Sequence, residues 1–550
     1  MTDFWNGTGN WTDGTHWSAG APPGSTDNAE IVSGSATFTP NSLDRKIGSL
    51  QVDTGTNLTV NASPFVIQTK DVFVHVASLL TLQNGLTAFG NITTENGGVI
   101  AGKGILNATS YTIANYGTID ANVNGAVLEV TDNGKPIVNN GTMLAELGGT
   151  LKLDHLANFS NGILTNGNYE VGDPVGNGAS QILINSHDAI TTLAASTHVS
   201  LFGANSELRT ATQSLEQSLT TVNGTLELSY GFHAQAFDAS HAIHLVAGNL
   251  DVFGATFTSP SLQIDQASNL YAGGVFTSTN HTSEASAELF GPVVNNGSIF
   301  AIGEARLTDV APALIIHGPV TGSGSMTLLY DATLELGGRV AASETIVFDN
   351  TKGQSETLQI DATTVNAHGT TGFAAGISGF MIGDVIDLKM LANATGYAFN
   401  GSDLTVHLKN HADAVLNLAG SGLAASTQFL LTADAAKTGT DIQIKAPASA
   451  AINSAAATTT TTTVATSSTI VTTFDPAADT FVFDKTASST AKTLLDRAYD
   501  PNLPGQHEVA NTSTASLDQP HEIDATSLVG AAVADLFHTL ARHHEMLYGI

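Results

Sequence analysis

The chain is 550 residues long, with 49 acidic against 18 basic side chains, a formal net charge of −31 and no cysteine. That balance argues against a nucleic-acid-binding face, which needs clustered Lys and Arg, and the missing cysteine excludes a disulfide framework, thiolate chemistry and Cys-ligated zinc. Hydrophobic residues reach 42% while charged residues fall to 12%, so this is no disordered polyelectrolyte, and solubility rests on Asn, Thr, Ser and Gly.

The first stretch, Phe4 to Ile31, holds Trp5, Trp11 and Trp17, the only three tryptophans. Their regular spacing fits neither a helical nor a strand period, which places the rings on successive turns of a loop-rich element. We read residues 1–30 as an aromatic cap over the open end of a long β-rich chain. The ligand-binding alternative makes Trp5, Trp11 and Trp17 a carbohydrate-stacking surface.

From Ala29 onward short alternating runs succeed one another, among them Ile47–Val52, Asn57–Val60, Val72–Val76 and Leu79–Leu82. Apolar residues at every second position predict half-buried strands. A loose repeat of Asn/Gly, Gly and Thr/Ser/Val precedes several of them, at Asn96–Ile100, Tyr116–Ile119, Asn140–Leu144, Asn161–Leu164, Asn223–Leu228 and Asn296–Phe300. The first four lie about 20 residues apart, the length of one solenoid coil. Asn and Gly are expected there because they tolerate a left-handed corner. The spacing predicts an all-β, parallel β-helix over residues 31–317, of about 13 coils and about 60 Å; an antiparallel sandwich is the alternative. Residues 318–445 read as a continuing or second β module. Within it, Asp384 and Asp387 read as turn and corner residues. Residues 446–473, with a run of threonines from Thr458 to Thr463, have nothing to bury and read as an Ala/Thr-rich linker. Residues 474–550 form a small C-terminal α/β segment. Its helix is expected over Ser527–Leu547, with Leu528, Val529, Val533, Leu536, Phe537, Leu540 and Leu547 near one face.

The opening Trp5-x-Gly7-x-Gly9-x-Trp11-x-Asp13, the third Trp17, then Gly20-x-Pro22-Pro23 and Asp27-x-Ala29-x-Ile31 resemble the start of large bacterial secreted β-helix proteins, both autotransporter passengers and adhesins exported by type I secretion. The string Gly379-Phe380-x-x-Gly383-Asp384-x-Ile386-Asp387-Leu388 resembles their terminal coils. The resemblance implies a right-handed solenoid at a bacterial surface and implies no activity. Ala478–Asp484 looks like the strand that closes calcium-binding nonapeptide arrays, although the Gly-Gly-x-Gly-x-Asp array itself is missing. It implies Asp475, Asp479 and Asp484 as oxygen ligands for Ca²⁺, the one cofactor the resemblance brings with it. The cluster His538, His543, His544 and Glu545 reads better as a solvated helix face than as a metal site.

Neither a Gly-x-Ser-x-Gly elbow nor a His-Glu-x-x-His motif is present, and no catalytic residue is assigned. The expected function is therefore a secreted or cell-surface scaffold without catalysis: an adhesin, matrix or surface-layer component. Its expected partners are glycans, cell-surface components or copies of itself. A polysaccharide-degrading β-helix enzyme, a lyase or glycoside hydrolase, is the alternative; it would line one face with acids, and Asp238, Asp251 and Asp265 fall at intervals suited to that. The histidines His75, His155, His198, His233, His241 and His244 read as scattered surface or corner residues. No N-terminal basic segment with an apolar run is seen, and no stretch reaches the length of a membrane span. Export is expected through a type I transporter recognising residues 474–550, with an oligomerisation or anchoring module as the alternative.

Overall fold

Runs such as Asn57–Val60 and Leu79–Leu82 turn every second side chain inward, as a period of two requires. Each is too short to bury its apolar side alone, so successive runs stack. In the computed structural model they do so as parallel strands in register, winding into a β-solenoid of about 14 turns that is only 2% helical. The structure describes residues 1–39, 45–61, 67–172, 179–203, 205–229, 236–273, 275–276, 284–303, 314–349, 355–361, 372–392, 394–409, 413–446, 473–475 and 480–482. Two units are distinguished, Met1–Pro447 and Ala448–Ile550. In the second, Thr473–Asp475 pairs antiparallel with Thr480–Val482. No helix among the described residues is long and apolar enough to cross a membrane.

The coils present three faces. The first runs through Ser49–Val52, Asp71–Val74, Ile92–Thr94, Ile113–Asn115 and Ile137–Asn139. It continues through Thr192–Leu193, Ile243–Leu245, Leu262–Ile264 and Val293–Asn295. The second face is the longest, an unbroken parallel ladder from Asn57–Val60 to Gly376–Ser378. The third is built from one set of strands up to Glu207–Thr210 and another from Ala236–Asp238 onward. Between them sits the one-turn helix Leu215–Ser218, opened by Ser214 and Gln217 as a capping box. The ladder crosses residue 318 without a break: Ser298–Ile302 pairs in register with Ser325–Leu329, and that strand with Thr345–Phe348. Beyond Lys389 the pairing changes. Ala394–Phe399, Asp403–Leu408 and Ala414–Gly420 form an antiparallel meander, and Thr440–Ile444 runs antiparallel to both Val385–Lys389 and Phe429–Ala433.

Register makes the core one-dimensional. Val199, Leu226, Leu250, Leu270 and Ile299 occupy one interior row on successive coils, each fully buried. Burying such a side chain stabilises by roughly 1.5–3 kcal/mol. At the amino-terminal end Thr2–Asn10 pairs with Asn28–Phe38 as the first rung, placing Trp5 beside Ile31. Some buried polar side chains are joined in ladders along the stack. Asn115 Nδ2 donates to Asn139 Oδ1 at 2.9 Å, and Asn139 N and O close a two-bond clasp with Asn158 at 2.7 and 2.8 Å.

The corner positions answer two constraints, the left-handed backbone expected from sequence at some and close approach of stacked coils at others. Gly117, Gly141 and Gly224 are not in the left-handed region; Gly97, Asn161 and Gly162 are. At Gly117, Gly141 and Gly224 a Cβ would run into the carbonyl oxygen of Gly98, Gly117 or Thr197 in the preceding coil. Close approach of stacked backbones, not backbone conformation, excludes a side chain there. A second correction concerns Asp387, which is a mid-strand residue of Val385–Lys389 rather than a corner. Asp384 does hold the turn, its carboxylate accepting from Met381 N at 2.8 Å.

This geometry predicts that Gly141→Ala destabilises the solenoid by about 2–4 kcal/mol in urea titration, through steric displacement of one coil. Gly396→Ala, at a strand position with open space around the added methyl, is expected to stay within about 0.5 kcal/mol of the parent. Equal effects at the two sites would refute the close-approach account.

Candidate functional site

Parallel register repeats outward positions as faithfully as inward ones. On the second face one outward row reads Thr118, Thr142, Asn168, His198, Thr225, Asn249, Asn269, Ser298, Ser325 and Thr345. Every member can form hydrogen bonds, and Asn269 Nδ2 donates to Asn249 Oδ1 at 3.2 Å. Two residues further along the same strands runs a second row: Asp120, Leu144, Glu170, Ser200, Glu227, Asp251, Tyr271 and Phe300. The titratable groups of this face are concentrated here.

Its centre is the pair Glu227 and Asp251, directly opposite one another on adjacent strands, whose backbones lie about 4.8 Å apart. The two carboxyls have unlike surroundings. His198 Nε2 and Glu227 Oε2 are 3.1 Å apart. Burial opposes the His198 imidazolium, but the Glu227 hydrogen bond and the charges of Glu227, Glu170 and Asp251 outweigh it and hold its pKa above the ordinary value. Asp251 Oδ1 is buried with no hydrogen-bond partner among the described residues. Burial, reinforced by the Glu227 charge and opposed by His198, pushes the Asp251 carboxyl up to about 7. Burial thus favours the protonated form of Asp251, while Glu227 has an imidazole beside it, unlike surroundings of the kind that separate an acid from a base.

Two further features border the pair. On the same strand as Glu227 and the same side of it, Ser229 is 1% exposed and its Oγ has no hydrogen-bond partner among the described residues. On the next two coils the half-exposed rings of Tyr271 and Phe300 stack, with centroids 5.0 Å apart and planes 11° from parallel. Further toward the amino terminus Asp120, 6% exposed, is pushed up to about 8 by burial and the Glu146 charge. Burial and Glu170 raise Glu146 in turn. The ring of Phe202 lies over Gly172, where a Cβ would collide with it.

The residues singled out from sequence have distinct fates in the fold. Trp5, Trp11 and Trp17 are 0%, 1% and 3% exposed and pack edge to face at 5.2 and 4.7 Å. Two of the indole N–H groups are used internally, Trp5 Nε1 donating to Gly7 O and Trp17 Nε1 to Trp11 O. Turned inward, these rings present no face to a ligand. Asp238, Asp251 and Asp265 do not share a face: Asp238 is on the third, Asp251 on the second, and Asp265 comes just after a strand of the first, where it pairs with His244 at 2.9 Å. Asp475 ends the strand Thr473–Asp475, while Asp479, Asp484, the expected helix over 527–547 and the His538–Glu545 cluster lie outside the described residues. Among the described residues no group of three His, Asp or Glu is arranged to hold a metal ion.

Several of the described histidines meet an acid of a neighbouring coil, while His233 lies outside the described residues. His75 meets Glu95 at 2.9 Å, His155 meets Asp132 at 3.4 Å, His198 meets Glu227 and His317 meets Glu288, both at 3.1 Å. Each partner is about one coil away in sequence. Pairing histidines with acids at the coil period would have revealed this, and would have put Glu227 beside His198. No family model, curated protein or solved structure matches the chain.

The buried carboxyls set the pH response. Asp120 and Glu356 are pushed up to about 8, and Asp251 and Glu344 to about 7, each by burial first. Their ordinary values, 3.8 for Asp and 4.5 for Glu, apply in the unfolded chain. The folded protein therefore binds more protons between these limits, and its stability falls as pH rises through about 4 to 8. Thermal unfolding is expected several degrees higher at about pH 5 than at about pH 8.5, with Glu344→Gln flattening the slope. A Tm that rises over that interval would contradict the assignment.

Proposed function

We propose that the protein is a secreted or cell-surface scaffold of the adhesin, matrix or surface-layer kind, whose second face holds extended glycan chains. The observation that carries this reading is the outward row from Thr118 to Thr345, a hydrogen-bonding side chain on each successive coil, flanked by the Tyr271–Phe300 platform. A ligand of repeating hydroxyls meets such a row with repeated weak contacts that add along its length. Stacked rings supply the flat apolar surface that the faces of sugar rings need. The sequence resemblance supports placement at a bacterial surface and export by a type I transporter. Overall charge of −31 and the acids of the second row disfavour anionic glycans, so the preferred ligands are polysaccharides without acidic groups.

Affinity electrophoresis or glycan arrays with soluble β-glucan, galactomannan, xylan and chitosan, against polygalacturonate as the acidic control, test the reading. We expect binding to at least one member of the first group, with a Kd raised about tenfold in Tyr271→Ala or Phe300→Ala, as loss of one stacking contact implies. Association of the protein only with itself, seen by light scattering without glycan binding, would replace glycan adhesion with self-assembly.

A further inference from the structure

We propose that the second face is also a hydrolytic site, in which Glu227 and Asp251 cleave a glycosidic bond of the polysaccharide held there. The proposal rests on the glycan-binding reading above and adds chemistry to it. Four observations converge. The two carboxyl side chains are in-register neighbours on adjacent parallel strands, which places them one strand spacing apart, about 4.8 Å at the backbone. Their environments differ, with His198 on Glu227 and a buried, unpartnered Oδ1 on Asp251. Ser229 directs a buried, unpartnered hydroxyl to the same side of the strand as Glu227. Tyr271 and Phe300 extend the row as a stacked platform for the neighbouring sugar. No other described carboxyl pair combines adjacent register, a histidine on one member and an aromatic platform in line.

The environments assign the roles. Asp251 enters protonated and gives its proton to the glycosidic oxygen as the bond to the anomeric carbon breaks. Glu227 Oε1 attacks that carbon and forms a glycosyl ester, while Oε2 keeps its contact with His198. Water then attacks the same carbon, returns a proton to Asp251 and releases Glu227 as carboxylate. One glycosidic bond and one water are consumed, and a reducing end and a free hydroxyl are produced. A spacing of about 4.8 Å at the backbone is nearer the close carboxyl pair of retaining enzymes than the wider pair of inverting ones, so the product is expected to keep its anomeric configuration. His198 is a positioning residue: its contact with Oε2 orients Glu227. The groups facing the pair are Glu170 and His198 from the amino-terminal side and Tyr271 from the carboxy-terminal side. Activity is therefore expected to fall as pH rises through the Asp251 titration, at about 7.

The test uses the full chain with the same panel of β-glucan, galactomannan, xylan and chitosan. Reducing-end release is measured alongside binding for the parent, Glu227→Gln, Asp251→Asn and His198→Asn, with circular dichroism and Tm to confirm folding. We expect release by the parent to fall at least a hundredfold in Glu227→Gln and Asp251→Asn while their Kd stays within about threefold. The anomer released first, read by proton NMR, should be the retained one. His198→Asn should lower kcat while leaving KM nearly unchanged. A parent that binds glycan and releases no reducing ends overturns the hydrolytic role and leaves the adhesive one standing. Release that survives Glu227→Gln, or an inverted product, overturns the assignment of the pair. Loss of binding across the panel overturns both readings.

Discussion

Every feature of this protein depends on stacking parallel strands in register, one coil on the next, with backbone groups paired at the strand spacing. Because the pairing is in register, a residue's environment is set by the residues one coil before and after it. The interior rows stay apolar for that reason: Leu226 sees Val199 and Leu250, so a polar residue at any rung would meet two apolar neighbours. The same rule keeps side chains out of the tight corners. At Gly141 the carbonyl of Gly117 occupies the space that a Cβ would need, and the glycine below it is constrained by the coil below that.

Interior polarity survives where one coil can answer another. Asn115, Asn139 and Asn158 share donors and acceptors across successive turns, and Thr56, Ser218 and Thr440 donate hydroxyls to backbone carbonyls. The buried carboxyls are handled differently. Glu344 keeps one hydrogen bond, from Asn295 Nδ2 at 2.9 Å, and burial raises its pKa. Neutralisation by proton uptake is the cheaper solution when no cation is near, and a chain with 18 basic residues against 49 acidic ones seldom has one near.

That scarcity explains why histidine matters here. Among the described residues many of the carboxylate partners on adjacent coils are imidazoles: Glu95 with His75, Asp265 with His244, Glu288 with His317. On the second face the one such pair among the described residues, His198 with Glu227, sits next to Asp251, which no cation contacts directly. Uneven pairing along a uniform row is what turns identical functional groups into unlike ones, through burial and neighbouring charge alone.

The alternation of apolar residues and the spacing of the Asn-Gly corners were enough to determine a stacked all-β chain, although the coil of about 20 residues holds for the first turns and several later ones are longer. These signals are local, since period two and turn chemistry are properties of a few consecutive residues. Lateral relations were not legible. Asp238, Asp251 and Asp265 are spaced by less than one coil, so the winding chain carries each to a different face. Glu227 carries no local signal, because nothing within its own strand distinguishes it; His198 lies 29 positions away. The tryptophans were conspicuous in sequence, but only packing decided that their rings face inward against one another and Phe38. Coil length varies from turn to turn, and register accumulates every variation, so which residues become neighbours across the face is decided only when the whole stack is wound.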